Sequence, residues 1–205
     1  MIKAEAKAQF VREWSPWQST IATIAVIDPG RTREPGVCGA WTLHDVVGHV
    51  QSYARYRLTG ARAAFSHVKP ADGEVYGERT RIDPVDGSLD ARNEAIRLSG
   101  LELTWQALVD ESEWLVEQTV AFLDSQSPAE LDEPLGWVPF WDPDFPREPG
   151  DDLRLHVRRV SEVPAATDPV PAWQFVQPDV PDGHTSAHLA QITTWLAGSG
   201  ALHRP

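Results

Sequence analysis

His184 and His188 stand four residues apart in a stretch where Leu189, Ile192 and Leu196 recur at helical spacing. On a helix both imidazoles project from one face, which suits two ligands of a single metal ion. His49 lies far upstream, beside Val46 and Val50 and one turn after Asp45, in another helical stretch. Three imidazoles from two facing helices make an open site for zinc or a similar divalent ion, with coordination left for water or substrate. Neutral imidazole is the ligand form, and its ordinary pKa makes that form available at pH 7. A blander reading is also open. An HxxxH pair arises readily by chance in a chain with seven histidines, and His49 alone fits a hydrogen-bonded core residue. Asp45 could orient His49, but a helix-capping role explains it without any metal. His44 is expected to be exposed, and His67, His156 and His203 carry no assignment.

The elements that must position these residues are mostly helical. Residues 3–27 carry Phe10, Val11 and Trp14 on one stripe and Trp17, Ile21 and Ile24 on another. Pro16 divides them, either as the first residue of a new helix capped by Ser15 or as a kink in a continuous one. The stretch 31–40 reads as a loop. Thr42 and Asp45 form a variant of the capping box, with Trp41 placed to staple onto Val46, and open a helix to about Phe65. Residues 69–88 read as a loop, 89–99 as a short helix and 101–125 as a long one. On that long helix Asp110, Glu111, Glu113 and Glu117 suggest a solvated face. Ser127-Pro128-Ala129-Glu130 opens one more helical turn, and a last helix spans 184–198.

The segment 127–182 differs from the rest. Eleven of the 17 prolines fall there, which excludes a long helix. Only 153–160 alternates as a strand would. Loops of this length tend to be functional.

Composition narrows the class. The chain has 205 residues, 30 acidic against 18 basic side chains and a net charge of −12. That balance disfavours nucleic acid and anionic membrane as partners, since both need clustered Lys and Arg. One globular domain, 1–205, is expected at this length. The single cysteine, Cys38, excludes an internal disulfide and fits a reducing cytoplasm; in a glycine-rich loop with no defined base it is a weak nucleophile candidate. No apolar leader and no run near about 18 apolar residues is present. Nine tryptophans beside six phenylalanines are an excess. Trp14, Trp17, Trp105, Trp114 and Trp195 occupy helical positions and read as core. Trp137, Trp141 and Trp173 fall in the proline-rich segment.

Two motifs resemble a known family. The run from Trp41-Thr42 through Asp45 to His49 resembles the W-[ST]-x-x-D-x-x-x-H segment of the DinB/YfiT-like superfamily, which includes the N-terminal domain of mycothiol-dependent maleylpyruvate isomerase. The run His184, His188, Gln191, Ile192, Trp195, Leu196 resembles that group's last-helix H-x-x-x-H-x-x-Q-[IL]-x-x-[WY]-L. The resemblance covers roughly sixteen and thirteen residues and the helix order. It implies an all-α four-helix bundle with long crossovers, here with a Pro/Trp-rich insert before the last helix. It further implies a metal triad of His49, His184 and His188, holding zinc or else nickel, iron or manganese.

By the same resemblance the function is that of a metal-dependent enzyme. A low-molecular-weight thiol such as mycothiol would bind the open metal position, giving an S-transferase or isomerase acting on a small electrophile. Two alternatives stand beside it: a hydrolase that activates water and opens reactive rings in natural-product self-resistance, and a non-catalytic bundle that binds small molecules. Tyr53, Tyr56 and Arg57 follow His49 by one and two turns and could line the mouth of the site. Trp137, Trp141 and Trp173 could roof it over a flat or apolar ligand, or equally be packing pieces of the insert. A homodimer is compatible with such a bundle.

Overall fold

A computed structural model describes residues 3–27, 29–66, 89–137, 157–164, 166–178 and 183–198. Among the described residues the chain is mostly helical, with two small sheets. Its helices are α1 (Lys3–Ile27), α2 (Leu43–Ser66), α3 (Leu89–Gly100), α4 (Trp105–Ser125), α5 (Pro128–Asp132), α6 (Ala172–Phe175) and α7 (His184–Gly198). A 3-10 turn covers Pro29–Arg33. The strands are β1 (Pro35–Cys38), β2 (Trp41–Thr42), β3 (Pro134–Trp137), β4 (Val157–Arg159) and β5 (Thr167–Pro171). Among the described residues no helix is long and apolar enough to cross a membrane.

Helix α1 is one continuous helix, so Pro16 starts no new one. The Pro16 ring is exposed, where the bond it cannot donate falls on the solvent side. The Ser15 hydroxyl donates back to the Val11 carbonyl at 2.6 Å instead of capping a helix start. Phe10, Trp14, Trp17, Ile21 and Ile24 form the buried stripe, and Trp14 donates to Ser112 Oγ on α4 at 3.2 Å. Helix α4 packs on both α1 and α2, while α3 and α7 pack on α2. Burying each large aliphatic side chain at these contacts contributes roughly 1.5–3 kcal/mol.

Several sequence expectations change. Residues 35–42 form a hairpin, not a loop, in which Cys38 pairs with Trp41. Gly39 makes the turn at a φ of +60°, and Gly36, at +108°, lies beside the Nε1 edge of Trp195. Cys38 is therefore a half-buried strand residue. Helix α4 begins at Trp105, four residues later than expected. Thr104 caps it by accepting from Ala107 N at 3.1 Å. The carbonyls of Leu101 and Leu103 just before it are taken by Arg33, and Leu103 also by His44.

Glu111 does not belong to a solvated face. It is 6% exposed and receives two hydrogen bonds from Arg55, whose guanidinium stacks 4.4 Å above the Trp114 ring. Asp110, Glu113 and Glu117 are exposed as expected.

The segment after α4 is more regular than its prolines suggest. Ser127 and Glu130 close a full capping box on α5. An antiparallel sheet of order β4-β3-β5 follows, and of its strands only β4 falls where alternation indicated one. Pro134 opens β3, and Pro169 and Pro171 lie on the edge strand β5, the positions where a missing N–H is tolerated. The sheet reaches the helices where β4 crosses α2. A Cβ placed on Gly60 would stand 2.3 Å from Val157 Cγ2, so only glycine admits this crossing.

Candidate metal centre

His49 is brought to the site by α2, whose start is locked by two reciprocal bonds. Thr42 N donates to Asp45 Oδ2 at 2.9 Å, and Asp45 N donates to Thr42 Oγ1 at 3.1 Å. The other Asp45 oxygen lies 3.8 Å from Arg97 on α3. Asp45 is thus a capping residue, and the orienting role toward His49 is not among its contacts in the described residues. His184 is the first residue of α7 and follows Gly183, which turns the chain at a φ of +70°. His188 stands one turn further along the same helix.

The three rings converge. His49 and His184 bring their Nε2 atoms to 2.9 Å. Ring centroids are 4.9 Å apart for His49 and His184, 5.2 Å for His49 and His188, and 4.7 Å for His184 and His188. One ligand atom from each lies within 4.8 Å of the others. Two nitrogens each about 2.0–2.1 Å from one ion stand roughly 3 Å apart, so the closest pair already has a coordination spacing. An all-imidazole donor set suits zinc, copper, iron or nickel. The residues therefore fit a divalent ion.

His188 is held by Gln191, whose Oε1 lies 2.8 Å from Nδ1. Because that oxygen only accepts, Nδ1 carries the proton and Nε2 keeps its lone pair. Burial pushes the His188 pKa below its ordinary value, with the Gln191 bond working against the shift. The neutral ligand form is favoured.

Aromatic rings enclose the cluster. Trp41 and Tyr53 meet His49 edge-on at centroid distances of 5.1 and 4.9 Å, and Tyr53 also meets His184 at 5.2 Å. The Tyr53 hydroxyl donates to Asn93 Oδ1 on α3 at 3.1 Å. Tyr53 thus stands beside the imidazoles. Arg57 is buried, and its Nη1 donates to the Gln177 carbonyl at 3.2 Å; Tyr56 is buried as well.

The other residues of interest divide. Trp173 sits half-buried on α6, packed against the core, and so belongs to a regular element after all. Trp137 is on β3, but its side chain lies outside the described residues, as does Trp141 altogether. His67, His156 and His203 lie outside them too. His44 is buried, not exposed: its Nε2 lies 2.8 Å from the Leu103 carbonyl, which holds the turn between α3 and α4. Sequence reasoning gave Gln191 only a place in a motif, although its i, i+3 spacing from His188 was a usable signal. Asn93 and Gln177 had no signal, because Tyr53 for the one and Ala6 and Arg57 for the other are remote in the chain. Comparison with family models, curated proteins and solved structures finds no match for this chain.

Proposed function

We propose that the chain is a metal-dependent enzyme of the DinB-like kind, a four-helix bundle in which His49, His184 and His188 hold a divalent ion, zinc foremost. The observation that carries this reading is the convergence of three imidazoles from two helices, with ligand atoms within 4.8 Å of one another. The two helix motifs and the packing of α1, α2, α4 and α7 around a common core support the bundle. A bound ion supplies Lewis-acid chemistry and lowers the pKa of a thiol or water at its open position.

The chain's own residues have defined parts in this reading. Gln191 fixes the His188 proton on Nδ1. Trp41 and Tyr53 shield His49, which strengthens electrostatic interactions by excluding water. The favoured activity is transfer or isomerisation of a small electrophile with a low-molecular-weight thiol of the mycothiol type. Metal analysis of untagged protein should return about one equivalent, and cobalt-substituted protein titrated with such a thiol should gain a thiolate charge-transfer band. Protein that binds no divalent metal would end the metal reading; metal without the band would end the thiol reading alone.

A further inference from the structure

Gln177, just past the end of α6, is fully buried. Its amide nitrogen donates to the Ala6 carbonyl on α1 at 3.2 Å and to the Trp173 carbonyl at 3.0 Å, which uses both N–H bonds. Its Oε1 is buried as well and has no hydrogen-bond partner among the described residues. Interior carbonyl oxygens are rarely left so, because they lose hydration without a replacement. Gln177 lines a small cavity, with His184 in its wall, that has room for about one water molecule. Phe10, Trp14 and Leu115 make much of that wall apolar. Two buried hydroxyls enter it from other helices, Thr119 of α4 and Thr185 of α7. The Thr185 hydroxyl donates to the Pro178 carbonyl at 2.8 Å, so its oxygen remains an acceptor. The Thr119 hydroxyl has no hydrogen bond among the described residues. Arg57, also in the wall, is already engaged: it donates to the Gln177 carbonyl and has a further interaction besides.

We propose that this cavity is the binding site of one structural water, anchored on Gln177 Oε1. The water donates to that oxygen and to Thr185 Oγ1, and it accepts from the Thr119 hydroxyl. Those are about three bonds, the usual number for a buried water. The size of the cavity excludes an organic ligand. With a guanidinium and no carboxylate among its described lining residues, it does not suit a cation either. The bound water joins α4, the end of α6 and the start of α7, where His184 opens the last helix. It thereby ties that end of α7 to the core, whether or not an ion sits at the histidines.

Two measurements test the site. A high-resolution crystal structure of the full chain, with or without zinc, is expected to show one water within hydrogen-bond distance of Gln177 Oε1. Denaturant unfolding then reads Thr119→Val, which keeps the side-chain shape and removes only the hydroxyl. If the hydroxyl donates to a bound water, the unfolding equilibrium constant rises about 3- to 10-fold. If it meets no water, the variant replaces an unpaired buried hydroxyl by a methyl group and is as stable as the parent or more so. Thr119→Ser keeps the donor and should keep the water in the density. A parent structure with no water at Gln177 Oε1 overturns the site, and so does a Thr119→Val protein that loses no stability. The parent structure decides even where a variant fails to fold.

Discussion

His49 and His184 are 135 residues apart in the chain, yet their Nε2 atoms lie 2.9 Å from each other. At that distance two neutral imidazoles must share one proton, and two protonated ones repel. A divalent cation at this place would take a lone pair from each instead.

Zinc should therefore stabilise the fold. At a hundredfold excess over its dissociation constant the gain is about 2.7 kcal/mol, read as a rise in Tm that His184→Ala abolishes. The gain should fade in acid, where protons compete for the imidazoles, and for His188 only below the ordinary histidine range, because burial lowers its pKa. An unchanged Tm with zinc in the parent protein would count against the site.

Gln191 should control metal affinity more than stability. Gln191→Leu releases His188 Nδ1 and is expected to weaken zinc binding about 10- to 100-fold. Gln191→Glu keeps an acceptor at the same place and should restore most of the affinity. If both variants bind zinc like the parent, Gln191 has no positioning role.

Gly60→Ala should destabilise despite the better helix propensity of alanine. Propensity favours the substitution by up to about 1 kcal/mol. The new Cβ, however, would meet Val157 Cγ2 at 2.3 Å and force the sheet away from α2. A net loss of about 1–3 kcal/mol is expected in denaturant unfolding. Val157→Ala in the same chain should recover part of it, giving a non-additive cycle.

The α5 capping box should make stability fall in acid. The Ser127 backbone N–H, and then its hydroxyl, hold the Glu130 carboxyl below its usual pKa. A carboxylate with a lowered folded pKa contributes stability that is complete above the unfolded pKa, near 4.3, and is lost as pH falls through the folded value. Glu130→Gln should remove this part of the acid dependence, measured as the unfolding midpoint between pH 6 and pH 3. Ser127→Ala should cost about 1 kcal/mol at neutral pH.

The features legible in sequence are those with local causes. The Thr42–Asp45 box, the Ser127–Glu130 box and the α7 boundaries each depend on residues within one turn, so composition and spacing suffice. The histidine trio was legible because two members share a helical face and the third sits in a motif of its own. Its convergence was not, since no local pattern sets how α7 meets α2.

Remote partners decided the rest. Glu111 reads as a solvated residue until Arg55 and Trp114 enclose it, and His44 reads as exposed until the Leu103 carbonyl takes its ring nitrogen. The prolines after α4 excluded a long helix but gave no sign of β3 and β5, where Pro134, Pro169 and Pro171 take positions that ask for no donor they lack. The sequence by itself determined where the long helical segments lie and which histidines could act together. Only the tertiary structure decided that they meet, that Glu111 and His44 are buried, and that β4 crosses α2 at Gly60. Those relations arise from packing between elements far apart in the chain, and packing has no period that a single strand of sequence can display.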